Sequence, residues 1–167
     1  MIRTIADFEE IWKRESEATL KILEAIPQEG LHREVVPGVR SPGRLAWHIT
    51  TSIPEMTSRM GLEPGGAAPE DPVPAAAPDI ASAYRRASEG LLGAIASAWT
   101  DATLEQVDEM YGERWRRGFT LQALIDHQIH HRAQLTVLLR QLGAAVPGVY
   151  GPSREEWARL GMDPPSV

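Results

Sequence analysis

A proline-rich segment in the middle of the chain sets the strongest limit on its fold. Residues 62–79, LEPGGAAPEDPVPAAAPD, hold five of the thirteen prolines, and a proline interrupts the backbone hydrogen bonding of a helix interior. The segment has too few bulky side chains to form a core of its own, and neither half of the chain alone would bury enough surface. We therefore interpret it as a long exposed crossover inside one domain that spans residues 1–167.

Four segments around this crossover have the apolar spacing of amphipathic helices. They cover residues 4–26, 41–61, 79–99 and 120–143. Pro27 stops the first, and Ser41-Pro42 opens the second with a capping hydroxyl followed by a proline at the first helical position. Gly61 and Gly143 are plausible C-terminal stops. The sequence predicts an all-α fold, a four-helix bundle with a long Pro/Ala-rich crossover after the second helix.

The remaining segments have weaker patterns. Residues 100–118 are expected to hold a short helical turn and then a loop or ribbon, with no convincing strand pair. Helix 4 is expected to start near Thr120, which would cap it. In the tail, Ser153 is expected to open a helical turn and Trp157 to act as a packing anchor.

Charge and cysteine content exclude several classes of function. The formal net charge of -6 offers no basic footprint for nucleic acid, and no basic amphipathic segment or apolar span indicates a membrane. The chain has no cysteine, so it has no disulfide, catalytic thiol or thiolate-bound metal. Its N-terminus does not resemble a signal peptide, which predicts a cytoplasmic location.

Three of the five histidines lie on the last predicted helix. His127 and His131 are four residues apart and share a face, whereas His130 is rotated by about 100° from its successor and is expected to support a ligand or lie on the surface. Such a pair can equally be solvent-facing or hydrogen-bonded in a core. Two facts favour a metal site: the leucines on the same side of the helix, and His48 on the inward stripe of helix 2. The three histidines would form an open site.

These motifs together resemble one known family. HQIHHRAQL, which begins at His127, resembles the HxxHHRGQL signature of the DinB/YfiT-like metalloenzymes, with Ala133 in place of the frequent glycine. PGRLAWH, which ends at His48, and the tail VPGVYGPS are also similar to segments of that family. The resemblance runs over about residues 8–157. It implies a divalent metal on His48, His127 and His131, namely zinc or nickel, with iron, cobalt or manganese as alternatives, and it implies a homodimer.

The resemblance also suggests a reaction. Some relatives transfer a low-molecular-weight thiol, such as bacillithiol, to an electrophile. Another branch uses mycothiol to isomerise maleylpyruvate, typically with a glutamate at the position of His127, so the bacillithiol-like branch is the better comparison. The leading hypothesis is therefore a metal-dependent thiol-S-transferase whose partners are a small-molecule substrate and an external thiol. Because the chain has no cysteine, the thiol must come from outside.

Two other functions remain open at this stage. The first is metal-assisted hydrolysis by a metal-bound hydroxide, with Glu55, two turns beyond His48, as the candidate base. The competing interpretation of Glu55 is an exposed acid on the helix surface. The second is a non-catalytic, metal-stabilised binding module.

Several larger side chains are candidates to surround the metal. Trp47, Trp115 and Tyr84 could line a pocket, although core packing is the simpler interpretation of each. Arg116 and Arg117 could meet an anionic cosubstrate.

Overall fold

The computed structural model describes residues 2–166 and confirms the predicted helical bundle. Its four long helices run in chain order as α1 (Ile5–Glu24), α2 (Pro42–Ser58), α3 (Ala77–Ala98) and α4 (Arg117–Gln141). Helices α1 and α2 each pack against both α3 and α4. A short hairpin precedes α4, with strands β1 (Val107–Met110) and β2 (Glu113–Arg116). Three 3-10 turns complete the structure, at Gln28–Gly30, Asp101–Glu105 and Trp157–Leu160.

Hydroxyl caps begin the first two helices. Thr4 Oγ1 accepts a hydrogen bond of 3.0 Å from the backbone N–H of Asp7, and Ser41 Oγ accepts one of 3.2 Å from that of Arg44. Each bond satisfies a donor that has no partner inside the helix. Helix α4 begins three residues before the predicted cap, because β2 leads directly into it. The hydroxyl of Thr120 bonds back to the carbonyl of Arg116 inside the helix instead of capping it.

The inward stripes of the helices form one apolar core. Fully buried side chains come from all four helices, among them Trp12, Ile53, Leu91 and Leu124. Trp47 and Tyr84 are also buried in this core, which confirms the core-packing interpretation for both. Ala98, which the periodicity places on the inward stripe of helix 3, is exposed because α3 ends at that residue.

The hairpin was the least predictable element. The ribbon alternative for residues 100–118 is confirmed, and the expectation of no strand pair is wrong. Strands β1 and β2 pair antiparallel, and the two-residue turn between them is Tyr111-Gly112, with φ of 56° and 85°. Positive φ at both turn residues matches the right-handed twist of a two-residue hairpin. Four-residue strands that are mostly charged have no apolar alternation to reveal them.

The crossover is mostly exposed, yet it is fastened to the bundle. The indole N–H of Trp47 donates to the carbonyl of Asp71 over 2.9 Å, and the Gln28 side chain bonds the backbone at Ala75 and Ala77. A Cβ on Gly90 would lie 2.1 Å from the carbonyl oxygen of Pro64. The crossover therefore lies directly on α3, and only glycine allows that approach.

A buried ion pair joins α1, α4 and the tail. Arg132 Nη2 lies 2.7 Å from Glu15 Oε2, and both side chains are at most 3% exposed. Arg132 Nη1 also donates to the Glu15 carbonyl at 2.9 Å and to Thr19 Oγ1 at 3.2 Å. From the tail, the hydroxyl of Tyr150 donates to Glu15 Oε2 over 2.6 Å. A buried charge pair of this kind is stable only when such further hydrogen bonds surround it.

The tail is anchored differently from the prediction. Val146 is buried in the core, and the hydroxyl of Tyr150 reaches the ion pair. Trp157 begins a 3-10 turn, remains partly exposed and does not join the core among the described residues. The packing-anchor prediction for Trp157 is therefore wrong. None of the helices within residues 2–166 has the length and apolarity that crossing a membrane requires.

Candidate metal centre

Three histidines from two helices meet at one point. His48 comes from α2, and His127 and His131 come from α4. One ring nitrogen of each lies within 4.8 Å of the other two, and His48 Nε2 is 3.1 Å from His127 Nε2. Two nitrogens of a tetrahedral zinc site would be separated by about 3.3 Å, given bonds of about 2.0–2.1 Å. Among the residues that the structure describes, this is the group that could hold a metal ion.

A buried glutamine fixes the two helices at this point. Gln128, next to His127, donates from Nε2 to the carbonyl of Ile49 at 2.9 Å and to Ser52 Oγ at 3.1 Å. Ile49 is in turn next to His48 on α2. This hydrogen bond joins the immediate neighbours of the two histidines and holds α2 and α4 together at the cluster, while Oε1 of Gln128 is buried without a hydrogen-bond partner among the described residues.

The site favours neutral imidazoles. Burial is the main cause that lowers the pKa of both His48 and His127 to about 4, and the positive charge of Arg40 acts in the same direction on His48. The pKa of His131 is also lowered by burial, against the opposing hydrogen bond with Gln134. Neutral imidazole is the form that coordinates metals, because its ring nitrogen keeps a free lone pair.

Gln134 orients His131. Its Oε1 lies 2.8 Å from His131 Nδ1, and an amide oxygen can only accept, so Nδ1 carries the proton and Nε2 keeps its lone pair. The amide nitrogen of Gln134 contacts Nε2 of His130 at 2.9 Å. His130 is exposed and outside the cluster, as the sequence predicted. Sequence reasoning missed Gln134, although its i, i+3 spacing from His131 was a usable signal.

The donor set fits a divalent transition metal. It consists of imidazole nitrogens, which suit zinc, nickel, iron and cobalt, and three such ligands leave a coordination position for water or substrate. Nδ1 of His127 is buried without a hydrogen-bond partner in the described chain. Metal ligation by His48, His127 and His131 stays a prediction, and the closeness of their ring nitrogens supports it.

A cleft of about 670 Å³ opens from the cluster. His48 and His127 form part of its wall, and Trp115 and Met56 supply apolar surface. Its other lining residues are Thr51, Ser52, Glu55, Arg59, Pro69, Tyr111 and Ala123. Volume and composition are those of small-molecule sites, which combine apolar walls with a few polar groups. Of the two tryptophans considered as pocket residues, Trp115 lines this cleft.

Glu55 lies in the same cleft and is not a solvated surface acid. Its side chain is 25% exposed, and its Oε1 accepts from Arg59 Nε at 2.9 Å. Its Oε2 accepts from the hydroxyl of Tyr111 at 2.6 Å. The charge of Glu55 is close enough to raise the pKa of His127, against larger effects that lower it.

Tyr111 reaches Glu55 from the hairpin turn. Burial and its hydrogen bond to Glu55 raise its pKa well above the ordinary value, so it remains a protonated donor. The guanidinium of Arg59 lies 4.7 Å from its ring centroid. Sequence reasoning missed this residue, because nothing local places a turn residue beside α2.

The two arginines proposed to meet an anion are occupied elsewhere. Arg117 forms two hydrogen bonds with Asp108, of 2.8 and 3.1 Å, and Arg116 lies 3.6 Å from Glu105. Neither lines the cleft. An anion-binding role for this pair therefore has no geometric basis.

Comparison with known proteins identifies the family of this chain and agrees with its fold. The model of the DinB family matches residues 1–165. The uncharacterized protein YrdA of Bacillus subtilis (strain 168) is 40% identical over 167 residues, which is all of both chains. A crystal structure of a DinB-like protein from Bacillus cereus ATCC 10987 aligns with a TM-score of 0.86 and 42% identity, over 90% of this chain and 100% of that one.

A more distant structure shares the fold. The DinB-like protein YjoA from Bacillus subtilis aligns with a TM-score of 0.68 at 19% identity, over 88% of this chain and 99% of that one. The match over nearly the full length, together with the relative at 40% identity, establishes the family. The chain belongs to the DinB family.

Proposed function

We propose that the protein is a metal-dependent enzyme that transfers a low-molecular-weight thiol, of the bacillithiol type, to an electrophilic small molecule. The observation that carries this proposal is the convergence of His48, His127 and His131 at the wall of a cleft with apolar sides. The absence of cysteine from the chain means that the sulfur must arrive with a cosubstrate.

The role of the metal would be to make the thiol more acidic. A divalent ion on the three histidines would lower the pKa of a coordinating thiol, so that the reactive thiolate is available near neutral pH. Zinc or nickel suits these ligands, and iron, cobalt or manganese are the alternatives. Gln134 holds His131 with its lone pair directed away from the amide.

The residues of the cleft bind the electrophilic substrate. Trp115 and Met56 exclude water from one side of it. The hydroxyl of Tyr111 donates its proton to Glu55, so its oxygen can accept a hydrogen bond from a donor group of the substrate. In the reaction a sulfur–carbon bond forms, the leaving group departs with the electrons of the broken bond, and Glu55 accepts the proton that the thiol loses.

The direct test is an assay of the zinc-loaded or nickel-loaded protein with bacillithiol and a panel of alkylating electrophiles. We expect a thioether product and a large loss of turnover in Glu55→Gln, with metal content unchanged. The matched control is Glu63→Gln, an exposed acid beyond the end of α2 that does not line the cleft. No turnover over a broad panel with metal bound would remove the transferase proposal.

Metal-assisted hydrolysis is the second candidate, and the position of Glu55 in the cleft favours it. A carboxylate beside the cluster is the general base that such a reaction needs. Turnover of ester or amide substrates without any thiol, abolished by Glu55→Gln, would support this function. Metal binding with no turnover of either kind, and a large loss of thermal stability on chelation, would indicate a non-catalytic module.

We also propose, by resemblance to the family, that the protein is a homodimer. Sedimentation velocity of the full chain measures this directly. A monomer at all concentrations tested would contradict it.

A further inference from the structure

Helix α2 presents one free hydroxyl group to the cleft that contains Glu55. Thr51 lies three residues after His48, lines this cleft and is 2% exposed. Its Oγ1 forms no hydrogen bond within residues 2–166, yet it is not one of the polar atoms that are sealed from solvent without a partner. The hydroxyl of this otherwise buried residue is therefore accessible at the cleft wall.

Neighbouring hydroxyls of α2 bond to the helix backbone instead. Thr50 Oγ1 donates to the carbonyl of Ala46 at 3.0 Å, and Thr57 Oγ1 donates to that of Ile53 at 2.7 Å. A threonine in a helix has two common rotamers, and one of them makes this bond to the preceding turn. Thr51 does not make it, so its proton remains available to a bound molecule.

Thr51 also differs from the other hydroxyls of the cleft wall, which belong to Ser52 and Tyr111. Ser52 Oγ donates to the carbonyl of Ile49 at 2.9 Å, and the hydroxyl of Tyr111 donates to Glu55 Oε2 at 2.6 Å. A hydroxyl has one proton, so these two groups can only accept from a ligand. Among the described residues that line the cleft, Thr51 is the hydroxyl whose proton is free.

The position of Thr51 along α2 gives this proton a use. At 1.5 Å per residue, Thr51 lies about 4.5 Å along the helix axis from His48 and about 6 Å before Glu55. Arg59 could also donate, but it lies about 16 Å along the axis from His48, and its Nε is bonded to Glu55 at 2.9 Å. An electronegative atom of a substrate would meet acceptor oxygens at Glu55 and Tyr111. Near the cluster, Thr51 is the side chain placed to donate to it.

We propose that Thr51 donates a hydrogen bond to an oxygen of the electrophile, and that the preferred electrophiles carry a carbonyl oxygen beside the reactive carbon, as α-halo ketones do. This inference rests on the proposed thiol transfer. The hydrogen bond orients the carbonyl so that the reactive carbon faces the histidine cluster. A site that hydrogen-bonds one substrate oxygen selects against analogues that lack it, because the buried polar group of the site is then left unpaired.

The test compares two unreactive ligands of the same shape, acetophenone and α-methylstyrene, in which a methylene group replaces the carbonyl oxygen. Ligand-observed nuclear magnetic resonance measures their affinities for the zinc-loaded protein. Thr51→Val removes the hydroxyl and keeps the branched shape. It should weaken acetophenone binding by about three- to tenfold, the size of one hydrogen bond, and leave α-methylstyrene unchanged. The carbonyl stretch of bound acetophenone should move to higher wavenumber in this variant.

Two further variants control for packing. Thr51→Ser keeps the hydroxyl and should bind acetophenone as the wild type does. Thr50→Val is the matched control, because Thr50 is adjacent in sequence, is 1% exposed and does not line the cleft. It loses a bond to the helix backbone and should leave both affinities unchanged.

An unchanged acetophenone affinity in Thr51→Val would overturn the inference, because the hydrogen bond would then not exist. An equal loss for both ligands would also overturn it, since the substitution would then act through packing. Thiol transfer without Thr51-dependent binding removes this inference alone. Thr51-dependent binding of acetophenone without any transfer removes the proposed function and leaves the carbonyl-binding site.

Discussion

At the scale of single residues, the protonation pattern of the cluster depends on one amide. Gln134 Oε1 accepts a hydrogen bond from His131 Nδ1, with 2.8 Å between the two atoms. This leaves Nε2 of His131 as the nitrogen that can coordinate a metal. Groups that orient a ligand in this way act on a metal through the ligand's position and basicity.

We therefore expect Gln134→Leu to weaken zinc affinity by about 10–100-fold, the usual effect of losing such a partner. Competition with a chromophoric chelator measures the affinity. Gln141→Leu, at the exposed end of the same helix, is the matched control and should leave it unchanged. Equal affinities of the two variants would show that the amide has no orienting role.

Some residues of the site could be predicted from the sequence and others could not. His127 and His131 could be paired from their spacing, and His48 from its place on an apolar stripe, because helical periodicity is local information. Arg40 and Tyr111 could not be found in this way. Both lie outside the long helices, and only the tertiary fold brings them to the cluster.

At the scale of elements, the Glu15–Arg132 pair fastens α1 to α4, the helix that carries His127 and His131. Because both side chains are buried, Arg132→Met would leave the Glu15 carboxylate with Arg14, whose side chain is largely exposed, as its remaining charged partner. We expect the free energy of unfolding to fall by about 3–5 kcal/mol, measured by urea denaturation.

The matched control is Arg85→Met, which breaks the Arg85–Glu24 pair, where each side chain is 52% exposed. This change should cost less than about 1 kcal/mol. A similar small loss in Arg132→Met would mean that the tail and the two helices do not depend on the buried pair.

The hairpin turn contains a strained residue, Tyr111, which also contacts Glu55 in the proposed substrate cleft. Tyr111 has φ of 56°, a left-handed conformation that tyrosine rarely adopts, and this conformation directs its hydroxyl to Glu55. Tyr111→Asn should leave the free energy of unfolding equal or raise it by up to about 1 kcal/mol, since asparagine tolerates this conformation. Thiol transfer should fall at the same time.

Tyr111→Phe separates the two effects, because it keeps the strain and removes only the hydroxyl. It should lose transfer activity without the gain in stability. If Tyr111→Asn were clearly destabilised, the turn would not be strained in solution.

At the scale of the whole molecule, the stability at acidic pH depends on Glu15. Burial alone would raise the pKa of its carboxyl, but hydrogen bonds from Tyr150 and Arg132 outweigh it and lower the pKa below the ordinary 4.5. The unfolded chain then binds more protons in this range, so the contribution is present above pH 4.5 and is lost as the pH falls through the folded-state pKa.

We therefore expect the free energy of unfolding of Glu15→Gln to vary less than that of the wild type between about pH 5 and pH 3. Urea denaturation at several pH values measures both slopes. A Glu15→Gln variant with the wild-type slope would show that other carboxyls control this part of the curve.

The overall fold was predictable because two local signals agree across the whole chain. Prolines predicted a crossover over residues 62–79, of which the structure places the last three in the first turn of α3, and four apolar periodicities predicted four helices. The hairpin before α4 was not resolved, because its short charged strands are stabilised by pairing and by the packing of Trp115. Trp157 was placed wrongly, since its burial depends on how the tail folds back and not on its own pattern.

The central claim is that His48, His127 and His131 hold one divalent ion. Elemental analysis of protein purified without a histidine tag, beside a His131→Ala variant that keeps its helical circular dichroism, tests it most directly. We predict one divalent ion per chain in the wild type and a loss of most of it in the variant, since two imidazoles alone bind such ions weakly. Undiminished stoichiometric metal in His131→Ala would contradict the assignment.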